Sequence, residues 1–186
     1  FNIHSDALEN HRDFYEGDRF GMNPTVTIAL SDKTTVDLSY EYADHERFID
    51  RGIPTINNAP DESLSNIVFG DEDINVTTLE ANIMRANVSH NFSETRKGNL
   101  AIQSSSFEKM YQNLYASGYD GTLVTMDGYL DPTERDNFII SGNIVSEVVT
   151  GSVTHTILFG AELINTENKN LRYDTNWSTT DDDNEV

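Results

Sequence analysis

The chain has no cysteine among its 186 residues, so a disulfide framework, a thiolate zinc site and a cysteine nucleophile are all excluded. Basic residues are scarce. Twelve Lys and Arg stand against 32 Asp and Glu, a formal net charge of −20, which argues against nucleic acid as a partner because phosphate binding needs clustered cations. Long apolar runs are missing as well: no stretch approaches the ~18 residues that a membrane helix requires. The opening FNIHSDALENHRD has neither the basic region nor the apolar core of a secretory leader. A leader removed beforehand, or a longer parent chain, is the expectation.

What the chain does have is alternation. In residues 25–30 Val26, Ile28 and Leu30 alternate with Thr25, Thr27 and Ala29, and in residues 36–42 Val36, Leu38, Tyr40 and Tyr42 alternate with Asp37, Ser39 and Glu41. Successive strand side chains point to opposite faces, so this pair reads as a hairpin that is apolar on one side and polar on the other. The predicted strands are residues 20–30 and 35–48 around the turn 31–34, residues 77–92 and 99–115 around 93–98, and residues 137–149 and 153–165 around 150–152. Residues 1–18 read as irregular, and residues 49–76, 116–135 and 166–186 as long polar connections rich in Gly, Pro, Asn and Asp.

Three hairpins thus share an asymmetry: short turns at one end of the strands, long loops at the other. That arrangement predicts an all-β, antiparallel up-and-down meander of about six strands belonging to a transmembrane β-barrel, since outer-membrane barrels pair short periplasmic turns with long outer loops. A soluble sandwich would space its turns more evenly, every ~8–12 residues. Residues 1–18, 49–76, 116–136 and 167–186 also carry 22 of the 32 acidic residues. Two readings are open for that charge: plain solvation of exposed loops, or a rim that binds divalent ions such as calcium.

Catalytic motifs are hard to find. His4, His11, His45, His90 and His155 are scattered without paired metal-ligand spacing, and His90 and His155 fall near turn ends, where amphipathic rings suit a membrane interface. Asp181-Asp182-Asp183-Asn184-Glu185 is rich in oxygen but lacks the Gly and terminal Glu spacing of an EF-hand. Gly118-Tyr119-Asp120-Gly121 lacks the lysine of a phosphate loop. No catalytic residue, resident metal or intrinsic cofactor is expected, and no enzyme. Aromatics are the more informative class. Tyr111, Tyr115, Tyr119, Tyr129 and Trp177 lie in or near the long connections, where they could line an outer vestibule and contact a ligand, whereas Tyr40, Tyr42, Phe92, Phe138 and Phe159 suit a girdle at the lipid boundary.

The segment RDFYEGDRFGMNPTVTIALSDKTTVDLSYEYADHERFIDRGIPT resembles an early barrel hairpin, with its following loop, of the TonB-dependent siderophore receptors. GSVTHTILFGAEL, residues 151–163, is similar to a strand of that family written His-Thr-Leu-Leu-x-Gly; His155, Thr156, Leu158 and Gly160 hold those places and Ile157 departs. The resemblance runs from about Arg12 to Leu163. It implies a barrel of about 22 strands with a plug in its lumen, of which residues 1–186 are a part covering about strands two to seven. The plug domain and the remaining strands would then lie outside this segment. It further implies a Gram-negative outer-membrane location in contact with lipid, a ferric siderophore as transported ligand, and a TonB complex engaged through the absent N-terminal region. The alternative from another class is a secreted or cell-surface β-domain whose acidic loops hold calcium for adhesion; a third is a small barrel that serves as an anchor.

Overall fold

A computed structural model describes residues 1–175. Its strands are β1 (Asn2–Glu9), β2 (Glu16–Asn23), β3 (Thr25–Ser31), β4 (Thr34–Phe48), β5 (Thr55–Ile56), β6 (Ala59–Pro60), β7 (Val76–Ser93), β8 (Arg96–Tyr119), β9 (Val124–Thr150), β10 (Val153–Asn170) and β11 (Tyr173–Asp174). A single 3₁₀ turn, Glu62–Leu64, lies between β6 and β7. All pairings are antiparallel. Apart from the two-residue hairpin β5–β6, the strands form one sheet in the order β1-β2-β4-β7-β8-β9-β10, with β3 also on β4 and β11 also on β9.

The register simplifies this further. β2 and β3 lie on β4 in the same frame, Gly17 opposite Arg47 and Thr25 opposite Ser39, so they are one strand interrupted at Pro24. Proline has no N–H to give to a ladder, but its carbonyl still accepts from the Tyr40 amide at 3.1 Å, and the strand resumes. β11 likewise continues β10 in register along β9 after a two-residue break. The meander therefore has seven strand positions. The extra one is β1, whose Asn2–Glu9 pairs with Glu16–Asn23 where the sequence reads as irregular.

One apolar face runs across the whole sheet. Val26, Leu38, Ala86, Ile102, Ile140 and Leu163 occupy one transverse row, and Ile28, Val36, Val88, Leu100, Gly142 and Ala161 the next. Among the described residues nothing packs over them: Val26 is 54% exposed, Leu38 42% and Leu163 59%. The opposite face is a hydrogen-bonded polar lattice. Thr27 donates to Asp37 at 2.6 Å, Arg85 bridges Glu41 at 3.0 Å and Gln103 at 2.9 Å, and Asn99 links Ser89 at 2.9 Å to Asn143 at 3.1 Å. A globular domain would cover its apolar side with a second layer. A sheet with water on the polar face and hydrocarbon on the other is the arrangement of a barrel wall.

At one end the strands turn tightly, through Asp32-Lys33, Glu94-Thr95 and Gly151-Ser152. At the other end the long loop expected over residues 116–135 is instead a protruding hairpin. β8 and β9 are 24 and 27 residues long and only Asp120-Gly121-Thr122-Leu123 connects them. The loop signals there have other causes. Asp120 Oδ1 accepts from the amides of Thr122 at 2.7 Å and Leu123 at 2.8 Å, and Gly121 takes the positive φ of +97° that the turn needs. Gly128 is a strand residue, glycine because a Cβ would come within 2.6 Å of the Asn113 carbonyl. Pro132 is one too, using only its carbonyl, which accepts from the Leu171 amide at 3.1 Å. At ~3.4 Å per residue the 27-residue β9 runs for roughly 90 Å, against an apolar band of about 25 Å in such barrels.

Residues 49–75 do form a long connection, and its acids hold it together. Asp50 accepts from the Gly52 amide at 2.8 Å, Asp61 from Ser63 at 3.0 Å, and Asp71 from Asp73 at 2.9 Å and Ile74 at 3.1 Å. Asn57 and Asn58, both at positive φ, make the two-residue turn of β5–β6, a conformation that Asn tolerates. Arg12 donates to Asp50 at 2.6 Å, to the Ile67 carbonyl at 2.9 Å and to the Ser65 carbonyl, tying the β1–β2 connection onto this loop. A share of the acidic excess is thus built into turns and ion pairs.

Candidate functional site: an arginine and tyrosine cluster beyond the apolar band

Along β8 the odd-numbered residues continue the polar face past the band. Gln103 and Ser105 give way to Lys109, Tyr111, Asn113 and Tyr115, opposite Thr133, Asp131, Tyr129 and Asp127 of β9. Tyr111 and Tyr129 stack with ring centroids 5.9 Å apart, and Tyr115 meets Tyr129 edge-on at 6.1 Å. Two guanidinium groups enter from other segments. Arg51, from the β4–β7 loop, donates to the Asn113 side chain at 2.9 Å and the Tyr129 hydroxyl at 3.0 Å, with its carbon 4.5 Å from the centre of the Tyr115 ring. Arg172, in the break between β10 and β11, lies 4.4 Å over the Tyr129 ring and holds Asp131 through a two-pronged pair at 2.7 and 2.5 Å.

The two cations differ in what remains of their charge. Arg172 is matched by Asp131, whose carboxyl it holds below the usual carboxylate range by that hydrogen bond. Arg51 sits among neutral partners, an amide and two phenol rings, and among the described residues it takes part in no ion pair. Burial pushes the Tyr115 hydroxyl up, and the neighbouring Asp127 adds to the effect, so the phenol stays protonated as a donor. Asn113 underneath is 1% exposed and also donates to the Tyr129 carbonyl at 3.3 Å, which fixes the amide oxygen that receives Arg51. The result is a patch of flat aromatic faces around Arg51, with Lys109 5.8 Å from the Tyr111 ring at its edge; among the described residues neither takes part in an ion pair. It can hold a planar, electron-rich or anionic group by stacking and charge.

Of the sequence-predicted ligand residues, Tyr111, Tyr115 and Tyr129 come together here. Tyr119 does not: it ends β8 opposite Val124, beyond the cluster. Trp177 lies outside the described residues. The girdle candidates take the apolar face: Tyr40 and Phe138 share a row at its upper limit, Tyr42 stands one row higher against Phe20 at 6.2 Å, and Phe92 and Phe159 sit near the tight turns. Sequence reasoning missed Arg51 and Arg172; their rarity among so many loop acids was the available signal. Among the described residues no group of three or more His, Asp or Glu is placed to hold a metal ion, and calcium at the acidic loops has no support there.

No family model matches the sequence, and no curated protein matches it either. Solved structures do. The ferric-catecholate import receptor Fiu from E. coli K12 in its open form superposes with a TM-score of 0.79 at 16% identity, covering 90% of this chain and 29% of that receptor. Its closed form gives 0.79 at 15% identity, with 90% and 27% covered. The fold is that of an import-receptor barrel wall. FpvA from P. aeruginosa, in a complex with iron and a pyoverdine, gives 0.76 at 13% identity over 90% of this chain and 23% of its own. The chain thus spans less than a third of the receptors whose barrel fold it shares. The resemblance to TonB-dependent siderophore receptors carried by the sequence is matched at the level of fold.

Proposed function

We propose that this chain is a stretch of the β-barrel domain of an outer-membrane receptor for TonB-dependent uptake of ferric siderophores in a Gram-negative bacterium. The observation that carries the reading is the two-sided sheet: an exposed apolar band on one face, and on the other a polar lattice that ends, beyond the band, in the Arg51–Tyr111–Tyr115–Tyr129–Arg172 cluster. Lipid outside and water within account for both faces at once. The likeness to Fiu and FpvA supports an iron chelate as the ligand class.

In this reading the cluster lies on the lumen side of the outer vestibule. Tyr111 is seven residues beyond Ser104, a residue of the band's upper row, or roughly 23 Å along the strand. Aromatic rings pack against the chelator, and Arg51 meets the negative charge of the complex. Energy transduction through TonB belongs to the plug and to the rest of the receptor, and this segment supplies wall and vestibule. The adhesin alternative requires a domain soluble without detergent, which the uncovered apolar face opposes. The test is titration of the full-length receptor, purified from outer membranes, with a ferric catecholate and with the iron-free chelator. Saturable binding of the ferric complex that weakens in an Arg51→Ala variant supports the proposal; absence of binding by the intact receptor, or binding indifferent to Arg51, overturns this site.

A further inference from the structure

Near the tight turns the apolar face is not flat. Gly142 on β9 faces Ala161 on β10 and lies diagonal to Gly98 on β8; these three make a shallow floor between Leu100 and Ile144 because they bring almost no side chain, and the rings of Phe92 and Phe159 stand beside it. Phe92 folds back over Gly98 so closely that a Cβ there would meet its ring at 2.8 Å. His90 fixes that ring edge-on at 4.6 Å and is itself held by the Thr34 hydroxyl at 2.8 Å. The groove has a volume of about 330 Å³, in the range of small-ligand sites (~300–1,000 Å³), and its surface is almost wholly apolar.

One row closer to the turns, on the same face, stands a cation. Arg96 is two residues before Gly98, is exposed, and donates from Nε to the Ser146 hydroxyl at 3.1 Å, which holds the guanidinium beside the mouth of the groove. Among the described residues it takes part in no ion pair. An apolar slot that opens next to a positioned, unneutralised guanidinium has the polarity of a phospholipid: acyl chain along the glycines, phosphate at the arginine. We infer that this groove is a docking site for one anionic glycerophospholipid, bound with its headgroup at the tight-turn end of the sheet. The inference rests on the reading above that the apolar face meets lipid, and it adds a specific site on a face otherwise expected to be generic.

The experiment uses the full-length receptor, equilibrated in mixed micelles with phosphatidylglycerol or with phosphatidylcholine and examined by native mass spectrometry. One phosphatidylglycerol is expected to stay bound after washing, in preference to phosphatidylcholine. Arg96→Gln should lower that preference about fivefold, the worth of one cation near an anionic headgroup. Gly142→Leu, which fills the floor at a position where a Cβ meets only ordinary contacts of 3.7 and 3.8 Å, should lower retention of both lipids. Arg96→Gln is a surface change and carries the test should the leucine variant not fold. Retention by wild type without headgroup preference, or equal retention in both variants, overturns the inference. A receptor that inserts into the outer membrane yet retains no phospholipid overturns it alone, whereas one that never inserts overturns the underlying reading as well.

Discussion

The side-chain amide of Asn75 pairs with the backbone of Leu114 as a neighbouring strand would. Its nitrogen donates to the Leu114 carbonyl at 2.8 Å, and its oxygen accepts the Leu114 amide at 2.9 Å. The same nitrogen reaches the Ile49 carbonyl at 2.9 Å and the same oxygen the Asp71 amide at 3.2 Å, all at a residue with 0% exposure. One side chain thus fastens both ends of the 49–75 loop to β8, immediately beside Asn113 and the arginine cluster.

Asn75→Ala leaves buried backbone groups without partners, at about 1–3 kcal/mol for each that water cannot reach. The expected outcome is a loosened loop: faster tryptic cleavage after Arg51 and a lower heat-unfolding midpoint. Asn75→Asp should rescue neither, because it loses the donor and buries a charge.

Arg51→Ala in the full-length receptor is expected to weaken ferric-chelate binding by ten- to a hundredfold, about 1.4 kcal/mol per factor of ten. Arg51→Lys should recover only part, since an ammonium cannot place a planar guanidinium on the Tyr115 ring while it bonds Asn113. Equilibrium titration checks both. Unchanged affinity in the lysine variant would show that charge alone matters.

The Asp131–Arg172 pair gives a pH dependence with a defined sign. Arg172 depresses the folded-state value of Asp131, so the pair's contribution is present above the ordinary carboxylate range and is lost as pH falls through the depressed value. Acid should therefore free the Tyr173–Asp174 segment from β9 before the long hairpins open, seen as earlier hydrogen exchange at Tyr173 and Asp174. Arg172 is exposed and Asp131 half-buried, so salt still reaches the pair and high ionic strength should produce a similar, weaker loosening at neutral pH.

The two faces should answer differently to charge. Ile102→Arg, in the middle of the apolar band, is expected to cost about 2–4 kcal/mol in a bilayer. Gln103→Arg, its neighbour on the polar lattice, should cost far less. Unfolding titrations of the two variants in lipid vesicles decide it, and equal costs would remove the distinction between lipid face and water face.

Residues 1–175 expressed alone should not behave as a monomer in detergent. β1 and β10 each have one side without a partner strand among the described residues, and an unpaired backbone group in hydrocarbon costs several kcal/mol. Light scattering on the purified piece should report self-association; a stable monomer would count against a barrel wall.

Much of this architecture was written in period-two alternation. Val26, Ile28, Val36 and Leu38 declared an apolar face, and the tight turns declared one end of the sheet, because strand geometry converts sequence spacing into sidedness without reference to anything distant. Two local signals misled. Asp-Gly and Asp-Pro pairs in residues 116–135 read as a loop, yet Gly128 and Pro132 answer to close approach and to a one-sided carbonyl bond; and polar Asn2–Glu9 became a strand because β2 offered it an edge. Composition and alternation, then, determined by themselves that the chain forms a two-faced antiparallel wall lacking thiol chemistry. Only the tertiary structure decided that Arg51 and Arg172, 121 positions apart in sequence, converge on Tyr129. Side-chain meetings across a sheet depend on register and loop path, and neither is encoded in the spacing of any one strand.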